Sequence, residues 1–439
     1  ASVWDALMSL RGDAKDDAQH ELHRRRFLHG MLAGASVAGF GGLGIAGEVP
    51  AADALKKQQK RALFIWLAGG ASQFETWDPK ASRETGGPFR SIQTAVPGYH
   101  VCELMPKLAK LMNKIAVVRS LNTGISEHGQ AADLISTGRP KEPALEYPEI
   151  GVILAKELAA RESKLPDYVS FFLSTEGRRR PATGFLGGSH SPMLLENSMR
   201  PKDIDLPEGL SDLKHKEREH LRELLSTEFA RGRVGSQLVG GYNSAYAKVL
   251  GLMQSDHLFD IEKEPASVRE RYGSTVFGQQ CLAARRLLEA GVPMVKVARG
   301  FWDSHHDNFE SHRELVPDFD NVMSTLLTDL DERGLLDSTL VIVLSEFGRT
   351  PKINKDVGRD HYAAAWSCAF AGCGIKGGAI HGKTDADGKT VVDGEANASD
   401  VAATIYKAVG IDLHKEYYSG LRPVPIAKEN ASPIDEILS

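Results

Sequence analysis

Cysteine is scarce in this chain. There are four in 439 residues (Cys102, Cys281, Cys368 and Cys373), and no two of them form a C-x-x-C pair. That absence argues against a zinc ribbon or a thioredoxin-type motif. The four read as small buried apolar residues, with a Cys368–Cys373 disulfide as the alternative in an oxidising compartment. An excess of one charge is also lacking: the net charge is −5, which gives no global attraction to nucleic acid. There is no internal repeat and no long low-complexity linker, so a repeat array is excluded. The N-terminal apolar run, 30–47, is short and interrupted by glycines, so a permanent membrane span is not expected. What is plentiful is glycine, 43 residues, which points to tight turns and close backbone approaches. The hydrophobic fraction of 42% and charged fraction of 25% are those of an ordinary soluble globular protein.

The N-terminal segment reads as an address. Residues 23–29 are HRRRFLH, with Arg24 and Arg25 as a pair, followed by GMLAGASVAGFGGLGIAG and an A-x-A site at Ala52-Asp53-Ala54. Basic, then weakly apolar, then small-residue-rich is the order of a cleavable export signal, and the arginine pair resembles the twin-arginine type. The expectation is a leader over 1–54, recognised by the twin-arginine export machinery, and a protein delivered folded to the periplasm or cell envelope. The glycines inside the run argue against a buried helix, each costing about 1 kcal/mol relative to alanine.

Beyond the leader, apolar runs alternate with helical periodicity. The run 62–68 (ALFIWLA) ends in Gly69-Gly70 and reads as a buried strand opening into a tight loop; 114–119, 168–173, 292–297 and 339–344 read as further strands. Helices are expected over 103–113, 128–137, 150–161, 277–290, 314–333 and 400–409, with a loop over 184–206 and a charged helical segment over 213–252. Strands apolar throughout, alternating with helices, predict an α/β fold with a mostly parallel central sheet and helices on both faces. One large domain over 55–439 is expected, with a helical insertion near 208–255.

The polar clusters fall where such a sheet collects ligands, after the carboxyl ends of strands. The first strand leads into GGASQFETWD, the strand at 292–297 into ARGFWDSHHDN, and the strand at 339–344 into SEFGRTP, followed by GRDHY. Each cluster alone is compatible with local structure. Asp307 or Ser311 could cap a helix, Glu346 could pair locally, and Asp360 could orient His361. Together they supply Asp, His and Glu at several strand ends of one sheet, a set that suits Zn, Mn or Fe, or Ca or Mg where carboxylates dominate. The Gly187-Gly188-Ser189-His190-Ser191 stretch lacks the closing glycine of a serine-hydrolase elbow.

These motifs carry a resemblance. HRRRFL, LAGGASQFETWDPK, VCELMPKLAK, YGSTVFGQQCLAARRLLEAGV, FWDSHHDNF, RGLLDSTLVIVLSEFGRTPKIN, GRDHY and DVAATIYKAVGID, in this order, resemble the DUF1501 family of exported bacterial proteins, placed in the alkaline phosphatase/sulfatase superfamily. The resemblance implies an alkaline phosphatase-like fold and a metal-dependent hydrolase of phosphate or sulfate esters. It implies metal ligands at Asp303 and His305, at Glu346, and at Asp360 and His361. Where sulfatase strands end in Asp-His, this one has Glu346-Phe347, and the first strand ends without a carboxylate. One divalent cation (Zn, Mn, Ca or Mg) with activated water is therefore expected in place of two.

The segment 126–140 resembles the sulfatase nucleophile helix, with Ser126 and His128 near its start as candidate catalytic groups. Ser72, Gln73, Arg349 and Arg359 are candidates to bind an anionic ester, such as a sulfated polysaccharide, and His306 and Asn308 to support the ligands. The alternative is a non-catalytic envelope protein that keeps the fold and a degenerate metal or anion site.

Overall fold

The computed structural model describes residues 59–160, 163–172, 181–196, 199–201, 209–231, 246–251 and 253–439. The expected leader and its arginine pair lie outside them. The elements that position the site are, in chain order, β1 (Arg61–Leu67), α1 (Pro106–Leu111), β2 (Ile115–Leu121), α2 (His128–Thr137), α3 (Ile150–Leu158), β3 (Tyr168–Phe172), β4 (Met193–Glu196), α4 (Asp212–Arg231), α5 (Val276–Ala290), β5 (Met294–Arg299), α6 (Asn308–Glu332), β6 (Thr339–Leu344), β7 (Gly348–Ile353), β8 (Arg359–Tyr362), β9 (Trp366–Gly372), β10 (Ile380–His381) and α7 (Ala398–Ala408).

Eight of the strands form one sheet in the order β10-β2-β9-β6-β1-β5-β3-β4. All run parallel except β9, which is antiparallel to both β2 and β6. The sheet is a mixed α/β sheet, mostly parallel, with helices on both faces. Alternation within β1 shows why its strand is apolar throughout. Leu63, Ile65 and Leu67 pack on the face covered by α5 and α6, while Ala62, Phe64 and Trp66 pack on the face covered by α3 and α7. Both faces are dry, so neither set of alternate positions can be polar. Each fully buried Val, Leu, Ile or Phe contributes about 1.5–3 kcal/mol of transfer free energy.

The structure differs from expectation in a few places. Residues 193–196, expected as loop, form the edge strand β4, and β7 to β10 were not anticipated. The helix expected from 314 begins at Asn308, immediately after the FWDSHHD loop. Asp307 sits at its N-cap with φ 46° and makes no side-chain capping bond. The four cysteines are buried and free, so no Cys368–Cys373 disulfide is present. In the expected insertion, α4 is largely exposed. Among the described residues no helix is long and apolar enough to cross a membrane.

Beneath the carboxyl ends of β1 and β5 lies a fully buried ion pair, Glu75 with Arg359, Oε1 to Nη2 2.9 Å. Burial opposes ionisation of Glu75, but Arg359 outweighs it and holds the carboxyl below its ordinary range. Removing one partner leaves an uncompensated buried charge. Glu75→Ala is expected to lower the unfolding free energy by about 3–5 kcal/mol, read from the denaturant midpoint. A carboxylate depressed in the folded state stabilises above its unfolded value of about 4.3 and loses that stabilisation as pH falls through the folded one. Wild-type stability should therefore drop more steeply below about pH 4 than that of Glu75→Gln, compared in denaturant titrations across that range.

Candidate metal centre

The loops that follow β1, β2, β5 and β6, together with the hairpin β7–β8, meet at the carboxyl end of the parallel strands, as the sheet topology requires. Close approach is built into the backbone. Gly69 has φ 113°, and a Cβ there would lie 2.5 Å from the Asp303 backbone nitrogen. At Gly358 a Cβ would lie 1.8 Å from the His305 carbonyl oxygen. A side chain at either position would push the site's loops apart.

Three imidazoles gather around the Asp303 carboxylate. His305 Nε2 lies 2.9 Å from His361 Nε2 and 3.1 Å from Asp303 Oδ1. His361 Nε2 lies 3.2 Å from Asp303 Oδ1, and His128 Nε2 lies 3.3 Å from Asp303 Oδ2. One donor atom each of His128, Asp303 and His361 lie within 4.8 Å of one another. The side chains are 22–46% exposed, so the cluster is open to a ligand.

What orients the imidazoles is as informative as where they are. His128 Nδ1 lies 2.9 Å from Glu346 Oε1, His305 Nδ1 2.9 Å from Asp360 Oδ1, and His361 Nδ1 2.8 Å from the Ser126 carbonyl. A carboxylate or carbonyl oxygen only accepts, so each Nδ1 carries a hydrogen and each ring turns its Nε2 inward. Ring nitrogens and carboxylate oxygens 2.9–3.3 Å from one another favour positive charge among them. Hydrogen bonds to Asp303 and then Glu346 push His128 up to about 9. Burial opposes ionisation of Asp303, but bonds from His128, His361 and Arg349 outweigh it and hold its carboxyl well below the usual range. The set of three imidazoles and one carboxylate, each imidazole backed by an oxygen, fits a divalent transition metal.

The expected ligands therefore divide. Asp303, His305 and His361 meet, whereas Glu346 and Asp360 stand behind His128 and His305. Asp360 orients His305, not its neighbour His361. Glu346 is buried and also accepts from Gly69 N at 2.8 Å and Ser345 Oγ at 3.1 Å. His128, expected as a catalytic group, joins the donor set. Ser126 reaches the site through its carbonyl.

The expected anion-binding groups are placed differently. Arg349 is buried, and its guanidinium donates to Asp303 Oδ1 (2.6 Å), to the carbonyls of Gly70 (2.8 Å) and Arg359 (3.0 Å), and to that of Gly69. Arg359 is consumed by Glu75 and the carbonyls of Thr85, Thr350 and Pro351. Gln73 is buried, with its amide donating to the carbonyls of Arg349 and Ala365 and accepting from Arg349 N. Ser72 is fully buried beside Glu75. All four are buried away from a substrate. Asn308 is buried and accepts from Ser304 Oγ at 2.6 Å, bracing the loop from within, while His306 is 73% exposed and points to Asp356.

Two supports had little signal in the sequence. Asn354 donates to the His305 carbonyl and to Asp360, and accepts from the backbone of Asp356 and Gly358. Phe347 lies under His361 and His128, with ring centroids 4.4 and 5.0 Å away. Glu127 occupies the start of α2, accepting from Gly129 N and Gln130 N, so that helix terminus is already capped by an anion. A cleft of about 940 Å³ opens on the His128 and Asp303 side of the cluster.

No curated protein matches the sequence. Among solved structures, a sulfatase from Pseudoalteromonas sp. is similar at 13% identity over 82% of this chain and 69% of that one, TM-score 0.37. A protein of the alkaline phosphatase superfamily from Vibrio parahaemolyticus is similar at 11% over 81% and 67%, TM-score 0.38. A phosphonate monoester hydrolase from Silicibacter pomeroyi is similar at 12% over 81% and 74%, TM-score 0.39. The family model described as "Protein of unknown function (DUF1501)" matches residues 59–438, and the chain belongs to that family.

Proposed function

We propose that this protein is a metal-dependent hydrolase of phosphate or sulfate monoesters, with one divalent cation held by His128, Asp303, His305 and His361. The observation that carries the reading is the inward convergence of three Nε2 atoms on Asp303, each Nδ1 being held by an oxygen. When bound, a divalent cation supplies positive charge for an ester oxygen and acidifies water. The chain's own residues do the rest. Glu346 and Asp360 fix the tautomer and tilt of their imidazoles, the Ser126 carbonyl does so for His361, and Arg349 keeps Asp303 ionised and aimed. Glu127 caps α2, and Ser126 presents its carbonyl to His361 Nδ1, so water is the proposed nucleophile. The arginine pair at Arg24 and Arg25 supports export of the folded, loaded protein to the periplasm or cell envelope.

A second reading, a non-catalytic envelope protein with a cation site, is favoured by one observation: Arg349 and Arg359, the expected anion clamps, are both buried and engaged. The two readings separate on purified protein. Elemental analysis should find one divalent cation per chain in wild type and none in Asp303→Ala or His305→Ala, and wild type alone should hydrolyse aryl phosphate or aryl sulfate. Cation bound without turnover of either ester would establish the second reading, and no cation would overturn both.

Two further outcomes follow from the outer oxygens. Glu346→Gln and Asp360→Asn should each weaken cation affinity about 10–100-fold while leaving the ligands in place, measured by competition with a chelating dye. Saturating cation at about 100 times its dissociation constant should raise the unfolding free energy by about 2.7 kcal/mol. That stabilisation should be abolished by chelator and absent in Asp303→Ala.

A further inference from the structure

The wall of the cleft identifies the other half of the substrate. Phe301 stands two residues before Asp303, is 73% exposed and lines the cleft. Its φ is 73°, in the left-handed region that a bulky side chain occupies only under constraint. The constraint is the next residue: Trp302 is fully buried against His312 and Phe319, and its backbone nitrogen donates to the Ala68 carbonyl at 3.3 Å. With Trp302 turned inward, position 301 turns outward. A glycine would meet that turn at no steric cost, so the turn by itself does not call for a phenyl ring. Trp66 and Leu315 continue the apolar surface into the cleft.

The charges lining the cleft complete the picture. Glu127 and Glu314 line it, and Arg299 is paired with Asp318 at 3.2 Å. Among the described residues lining the cleft there is no other arginine and no lysine. A second anionic group on a ligand would face carboxylates, with Arg299 already paired and His306 beside Asp356.

We propose that Phe301 is the platform for the alcohol half of the substrate, and that this half presents a ring with an apolar face and bears no second negative charge. This rests on the ester reading above and narrows it: a singly esterified aryl or sugar ring fits the cleft, and a multiply sulfated polysaccharide does not. An exposed ring against a ligand's flat face gains from stacking as well as area.

The test is equilibrium binding of non-hydrolysable probes to the zinc-loaded protein by calorimetry. Phenylphosphonate is expected to bind about tenfold tighter than methylphosphonate, and 3-carboxyphenylphosphonate more weakly than phenylphosphonate. Glucose 6-phosphonate, run beside them, separates a sugar from an aryl ring as the preferred partner by which binds tighter. In Phe301→Ala the ring advantage should fall below about twofold. Phe301→Gly should lose the same advantage and yet melt at a higher temperature than wild type, because glycine relieves the strained backbone; a residue with only a structural role would melt lower. Equal affinity for phenyl- and methylphosphonate in wild type, or tighter binding of the carboxylated probe, overturns the inference and leaves the ester reading standing. Zinc bound with no phosphonate binding at all overturns both.

Discussion

The buried guanidinium of Arg349 is the constraint on which the site depends. It sits on β7 and donates to carbonyls in the loop after β1, to a carbonyl on β8 and to the carboxylate of Asp303 in the loop after β5. Taking a charge out of water costs several kcal/mol unless excellent geometry offsets it. Here its hydrogen bonds reach three separate stretches of the chain, the loop after β1, the loop after β5 and β8, so the charge is tolerated only when all three are in place. Gln73 repeats the device from the other side, its amide grasping both backbone groups of Arg349. Glu75 and Arg359 repeat it one layer deeper. Loops that would otherwise move independently are fixed by satisfied polar groups in the interior, which is how a buried polar network gives specificity where apolar packing alone would leave alternatives.

Once those loops are fixed, the imidazoles need only be turned. Two carboxylates that composition alone would assign to a cation, Glu346 and Asp360, act one step back, where a hydrogen bond to Nδ1 fixes the tautomer and makes Nε2 a better donor. Phe347, beneath two of the rings, keeps their faces dry. The inner set therefore has a single negative charge, that of Asp303, and a divalent ion held by it keeps about one unit of positive charge toward the cleft.

The sheet was legible in the sequence because strands dry on both faces must be apolar at every position, and 62–68 and 339–344 have no other reading. The helix 128–137 was legible from its period and from Gly138 after it, which adopts the left-handed C-cap conformation. β9 was not: Trp366–Gly372 mixes Ser, Cys, Ala and Gly, and its burial comes from neighbours far away in the chain. The hairpin β7–β8 was hidden by Pro351 and by a register shift between Arg359 and His361. At the site, the residue types gave the cluster but not the division within it. Asp and His adjacent in GRDH suggest a local pair, yet β8 sends them to different partners, Asp360 to His305 and His361 to Ser126. Arg349 and Arg359 looked like anion clamps because a sequence records charge and not depth.

That depth reshapes the electrostatics of the whole cleft. An enzyme acting on a multiply charged polymer ordinarily shows exposed arginines or lysines along the groove, since each further anion needs its own partner in a medium less polar than water. Here the basic side chains nearest the site are turned inward to hold its architecture, the helix terminus that could have received an anion is taken by Glu127, and Arg299 is matched by Asp318. On the proposed function, the positive charge left to face the cleft would be that of the cation itself, about one unit, and the site would discriminate by counting. One anionic group would be drawn in, a second would be left without a partner, and what distinguishes one ester from another would then come from the uncharged wall around Phe301, Trp66 and Leu315.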